Sequence, residues 1–273
     1  MPTMTRMPMR ALVRRPSPRL AEGIVTHTER VAVDPDLALR QWADYVAALT
    51  TAGWQAIEVP PAEDCPDSVF VEDTMVVYRH LAVIARPGAA TRRPETAAAE
   101  ATVAAAGYQV EHITSPATLD GGDVLKVDST IYVGITERTN AAGAQQLAGL
   151  LRPLGAKVLP VPTTKVLHLK SAVTALPDGR VIGYPPLVDD PAAFDEFVPV
   201  PEEAGAHVVL IGPDHDAVPQ LLMATGAPRS AELFVGLGYR PVLVDIGEFE
   251  KLEGCVTCLS VRLRGGTQSG VQV

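Results

Sequence analysis

Cysteine is scarce, with three in 273 residues. Three thiols cannot build a disulfide framework, and the odd count fits a reducing compartment. Long apolar runs are also missing. None reaches roughly 18 residues, the length of a membrane-spanning helix. The N-terminal stretch MPTMTRMPMRALVRRP lacks the apolar core of a signal peptide. Asparagine occurs only at Asn140, followed by two alanines, which removes any glycosylation acceptor. Positive charge is in deficit, 23 Lys and Arg against 32 Asp and Glu, for a net −9. Nucleic acids and anionic membranes require a basic face, so neither is expected as a partner. A small cationic substrate is favoured. The expectation is a cytoplasmic enzyme or binding protein, with its oligomeric state left open.

What the chain does contain is a repeat. Four segments share a helix-like stretch, a glycine and a short apolar run: AALTTAGWQAIEVP, VAAAGYQVEHI, LLRPLGAKVLPVP and LFVGLGYRPVLVDI. Gly53, Gly107, Gly155 and Gly238 each fit a left-handed residue just past a helix end. In 34–52, Asp34 is a candidate N-cap and Pro35 suits the first turn. Leu37, Trp42, Tyr45, Val46 and Leu49 then share one face. Strand-like pairs follow each unit, with Asp128-Ser129 and Asp178-Gly179 as hairpin turns. The gap between Gly155 and Gly238 is long enough for one more unit, with AGAHVVLIGPDHD supplying its strands. About five strand–strand–helix–strand units result. They predict an α/β ring with pseudo-fivefold symmetry, one domain over 1–273, whose polar loop residues meet on a central axis. An ordinary α/β sandwich shares the same alternation.

Reading the same point of each unit gives Asp67 (with Glu72 and Asp73 following), Asp120, His168 and Cys258. Asp67, Asp120 and His168 lie 13 or 14 residues past their glycines, and Cys258 lies 20 past. A thiol, an imidazole and several carboxylates on one axis suit a planar cation with several N–H donors, such as a guanidinium. The thiol would attack its central carbon. Cys258 belongs to EGCVTCLSVRL, a C-x-x-C with Cys255. A zinc site needs two more ligands at suitable spacing, and His27, His80, His112, His207 and His215 form no such pattern. A redox couple would open a helix, whereas VTCLSVRL reads as a strand. Strand alternation then turns Cys255 away from the site. Asp214-His215-Asp216 reads as a surface turn after Gly212-Pro213.

Six blocks in order, PDSVFVEDTMVV (66–77), RPGAATRRPE (86–95), TLDGGDVL (118–125), VGITERTN (133–140), HLKS (168–171) and EGCVTCLSV (253–261), resemble the dimethylarginine dimethylaminohydrolases. That family has the five-bladed α/β-propeller (pentein) fold. The resemblance implies hydrolysis of a C–N bond of mono- or asymmetric dimethylarginine, giving citrulline and a methylamine through a covalent thiouronium, with no cofactor and no metal. It makes Cys258 the nucleophile, His168 the general acid and base, and Asp120 the residue that orients the histidine. Glu72 and Asp73 would bind the guanidinium, and Arg92 and Arg138 the substrate α-carboxylate. Asp67 and the carbonyl of Leu252 would face the α-amino end. A lid over about 16–25 would bring Leu20 or Ile24 to the substrate. Where some relatives have a second cysteine after the nucleophile, this chain has Leu259. An arginine deiminase or other guanidine hydrolase on the same scaffold is an alternative. A non-catalytic pentein binding protein is another.

Overall fold

The computed structural model of the protein describes residues 9–264. Residues 1–8 of the stretch weighed as a signal peptide lie outside the described residues. Short strands recur along the chain: β1 (Arg10–Val13), β2 (Gln55–Glu58), β3 (Met75–Tyr78), β4 (Leu81–Ile84), β5 (Gln109–His112), β6 (Val124–Val127), β7 (Thr130–Ile135) and β8 (Lys157–Pro162). They continue as β9 (Val173–Ala175), β10 (Val181–Gly183), β11 (Phe197–Pro199), β12 (Val209–Pro213), β13 (Pro219–Ala224), β14 (Arg240–Val244) and β15 (Val261–Leu263). Five three-stranded sheets result, in the orders β15-β1-β2, β3-β4-β5, β6-β7-β8, β9-β10-β11 and β12-β13-β14. In each sheet the first pair is antiparallel and the second parallel. The last strand pairs with the first, so the chain closes on itself as a five-bladed α/β propeller.

A parallel pair needs a crossover. Helices α1 (Pro35–Thr51), α2 (Glu95–Ala105), α3 (Ala141–Leu151) and α4 (Pro228–Gly236) supply four of them. The Asp34 carboxylate caps α1, accepting from the Asp36 and Leu37 N–H groups at 3.0 Å. Gly53, Gly107, Gly155 and Gly238 have φ of +86°, +91°, +81° and +88°, which releases the chain from each helix into the outer strand. The fourth blade departs from the expected unit. Its crossover holds 3-10 turns at Pro185–Leu187 and Pro191–Ala193 in place of a helix. Pro185, Pro186 and Pro191 lack the N–H groups a helix interior requires. Phe194 fills the space instead, edge-on to Tyr132 at 5.1 Å and stacked on Phe197 at 6.2 Å.

The apolar core is divided into five clusters, each between neighbouring blades. α1 seats Trp42, Tyr45 and Leu49 between the first blade and the fifth. The inner strands are shorter than the sequence suggests. Within VFVEDTMVVY only the last four residues are strand, and Val71–Thr74 is a 3-10 turn. Gly121–Asp123 and Leu169–Ser171 form matching turns before β6 and β9. These turns meet around the axis and carry the polar residues there.

Candidate active site

Residues 255–258 form a turn closed by the Cys258 N–H on the Cys255 carbonyl at 3.0 Å. The strand starts only at Val261. Alternation therefore does not apply, and Cys255 is not turned away: its Sγ lies 3.3 Å from Cys258 Sγ. Tyr45, buried in α1, donates its hydroxyl to the Val256 carbonyl at 2.9 Å and meets Ser260 Oγ at 2.8 Å. That pins both sides of the turn. With Cys258 donating to Cys255, the Cys258 thiol holds its proton more tightly than an ordinary thiol. Burial and the nearby charges of Cys255, Glu72 and Asp73 act in the same sense.

His168 ends the loop before its 3-10 turn. Its Nε2 is 3.1 Å from Asp120 Oδ2, and its Nδ1 is 3.8 Å from Asp73 Oδ1. Burial disfavours the charged ring, but Asp73, Asp123 and Asp120 outweigh it and raise the pKa to about 9. Asp120 is fully buried, with its Oδ1 accepting from the Gly88 N–H at 2.9 Å. Asp73 accepts from the Gly122 N–H at 2.9 Å and from Arg92 at 2.6 Å. Burial opposes its charge, yet His168 and Arg92 hold its pKa down at about 2. Gly122 is required here. A Cβ on it would come within 2.6 Å of both Asp73 Oδ1 and His168 Nδ1.

Asp67, Asp73, Arg138, His168, Leu252 and Cys258 line one pocket, with Ile24 and Glu253 over it. Phe70, rather than Asp67, precedes the first blade-entry turn, so the equivalence of Asp67 with Asp120 and His168 does not hold, and Asp73 makes the approach to His168. Ile24 comes from the 16–25 segment expected as a lid, and its N–H donates to Asp67 Oδ1 at 3.0 Å. The Glu253 carboxylate accepts from the Thr26 and His27 N–H groups at 2.7 and 2.6 Å.

Three expectations are corrected. Leu20 does not line the pocket; it is fully buried in the apolar core. The Glu72 carboxylate faces the other way, with Oε1 2.5 Å from Lys170 Nζ and 3.2 Å from Arg262. Arg92 lines the pocket, but most of its donors are taken by Asp73, Glu95 and the carbonyls of Asp67 and Phe70. Arg138 is the freer guanidinium, bonded to Thr26 Oγ1 at 3.4 Å. Sequence reasoning missed Glu95, Asp123 and Glu253. Glu95, three residues past Arg92, carried the only local signal, an i,i+3 ion pair. Asp123 accepts from the Leu169 N–H at 2.9 Å, which holds the segment after His168.

Ligand atoms of Asp73, Asp120 and His168 lie within 4.8 Å of one another. Arg92 already neutralises Asp73 there, which works against a cation. Asp214-His215-Asp216 forms the expected surface turn, in which Asp214 accepts from the Asp216 and Val218 N–H groups at 2.8 Å.

The sequence model of the arginine deiminase family matches residues 56–210. The N(G),N(G)-dimethylarginine dimethylaminohydrolase of Streptomyces coelicolor is 65% identical, over 93% of this chain and 97% of that one. The chain belongs to the dimethylarginine dimethylaminohydrolase family. The protein of that name from Pseudomonas aeruginosa is 35% identical over 92% of this chain and 98% of its own. A solved cysteine-to-serine mutant of the Pseudomonas aeruginosa protein, complexed with citrulline, matches with a TM-score of 0.85. It is 34% identical and covers 94% of this chain and 99% of that one. A dimethylarginine dimethylaminohydrolase histidine-to-glycine mutant, solved as its adduct with S-methyl-L-thiocitrulline, also gives 0.85. Among the described residues no helix is long and apolar enough to cross a membrane.

Proposed function

We infer that this protein hydrolyses mono- and asymmetric dimethylarginine to citrulline and methylamine or dimethylamine, as one catalytic domain working in the cytoplasm. The observation that carries this is the meeting of Cys258, His168 and an ionised Asp73 in one pocket, with Arg138 also on its wall. The three unpaired cysteines support a reducing location. Asp73 takes guanidinium N–H groups, and the free donors of Arg138 take the α-carboxylate. Asp67 and the Leu252 carbonyl face the α-amino group. A bound guanidinium adds positive charge beside Cys258, which lowers the thiol pKa and lets its proton leave to solvent.

The thiolate adds to the guanidine carbon. His168, charged at neutral pH, gives its proton to the departing amine, and the C–N bond breaks. A thiouronium remains on sulfur. His168, now neutral, takes a proton from water, which adds to the same carbon. The C–S bond breaks and citrulline leaves. Asp120 orients the ring and stabilises its charge throughout.

The test is a substrate panel of arginine, monomethylarginine, asymmetric dimethylarginine and agmatine. Fastest citrulline release from a methylated arginine is expected, and fastest release from arginine would favour the deiminase reading. Cys258→Ser should abolish release. Cys255→Ser should keep it within about tenfold, because one hydrogen bond is worth on the order of 1 kcal/mol. The opposite pattern would reassign the nucleophile.

A further inference from the structure

A second cavity, of about 220 Å³, lies along the axis among the inner strands β3, β6, β9, β12 and β15. Among the described residues it shares no lining residue with the thiol pocket. Adjacent residues face opposite ways at the partition, Glu72 against Asp73 and Thr257 against Cys258.

Its charge is the reverse of the molecule's. The protein carries a net −9, yet Arg79, Lys126, Lys170, Arg262 and Arg264 all line this cavity, with Glu72 and Asp128 as the acids among them. Glu72 is shared by Lys170 and Arg262 through one oxygen. Among the described residues, Lys126 Nζ donates only to the Val77 carbonyl, at 2.8 Å, and the Arg264 side chain only to the Leu210 carbonyl, at 3.2 Å. Lys126 lines the cavity but is solvent-exposed, so water blunts the desolvation and the repulsion from Lys170, Arg262 and Arg264 that lower its pKa. Arg264 is lowered to about 10 by burial and by Arg262. Like charges gathered in a recessed space repel one another, and no carbonyl neutralises them. Cations held only to brace carbonyls would not need to converge. The volume is below the 300–1,000 Å³ or so of sites for drug-sized ligands, so the occupant is small.

We propose that this axial cavity is an anion-binding site, built by Lys126, Lys170, Arg262 and Arg264 for a small dianionic oxyanion of the phosphate or dicarboxylate class. Such an anion supplies counter-charge beyond that of Glu72 and Asp128, and it competes with Glu72 for Lys170 and Arg262.

Titration calorimetry and thermal unfolding test this with inorganic phosphate and with succinate, each against sodium chloride at matched ionic strength. Expected is one-to-one binding of at least one of the two, and a midpoint rise that chloride does not reproduce. Which anion binds tells phosphate from dicarboxylate. Lys126→Ala and Arg264→Ala should each weaken that binding by about tenfold or more, the loss of one charge-assisted hydrogen bond. Without added anion, Lys126→Ala should unfold at a higher temperature than the wild type, because repulsion is relieved. Equal responses to chloride and to both anions would overturn the proposal. So would anion binding that survives both substitutions unchanged, since that anion would be held elsewhere, for example at Arg138.

Discussion

At the residue scale, His168 carries a testable consequence of its surroundings. Its pKa is about 9 in the folded protein and about 6.5 in an unfolded chain. The stability it contributes is therefore complete below about pH 6.5 and lost as pH rises through about 9. Chemical unfolding between these limits should show the wild type losing more stability than His168→Gly, by on the order of a few kcal/mol. Equal slopes for the two would mean the ring is neutral in the folded state. Glu72 and Asp73 show why neighbours in sequence need not share a role. They occupy one 3-10 turn, but Asp73 meets His168 and Arg92 while Glu72 meets Lys170 and Arg262 on the far side. Two adjacent acids were plain in FVEDT. The direction each would take was not, because it depends on cations 19, 98 and 190 positions away.

At the element scale, the segment over the pocket and the cysteine turn are each fixed by partners from distant parts of the chain. Glu253 sits at φ +61° and accepts from the Thr26 and His27 N–H groups. Glu253→Gln keeps one acceptor oxygen and loses the charge. The variant should raise KM for the methylated arginine several-fold with a smaller change in kcat, as a looser lid weakens binding. A matched fall in kcat with KM unchanged would place Glu253 in the chemistry instead. The helices were legible because each has its own local signals: Asp34 and Pro35 at one end of α1, a positive-φ glycine past the other. The fourth crossover was hidden in a gap. Its prolines were visible, but the use of Phe194 as a replacement for a helix depends on Tyr132 from another blade. The cysteine turn was misread for a similar reason. VTCLSVRL has strand composition, and the Tyr45 contacts that bend it come from 211 and 215 positions away.

At the scale of the whole molecule, closure rests on β15 returning to β1. Arg10 pairs with Leu263, and Leu12 with Val261. Leu263 is fully buried in the cluster between the first two blades. Leu263→Ala should cost about 2–5 kcal/mol, the range for emptying a buried leucine site. Because β15 follows directly on the cysteine turn, activity should fall at the same temperature at which unfolding is seen by tryptophan fluorescence. Activity lost well before unfolding would show that the turn loosens independently of the ring.

By itself, the sequence determined the repeat, the helix ends and the set of chemical groups available, since patterning, capping and residue type act over a few positions. It also placed Asp120, His168 and Cys258 at one end of the blades, because equivalent positions in equivalent units face one axis. Only the tertiary structure decided that Cys255 touches Cys258, that Arg92 is spent on internal acids while Arg138 is free, and that Ile24 rather than Leu20 reaches the pocket. The cysteine turn is pinned by Tyr45 from 211 and 215 positions away, Arg92 is drawn to Asp73 as well as to its neighbour Glu95, and Ile24 is held by Asp67, so partners distant in sequence decide each outcome.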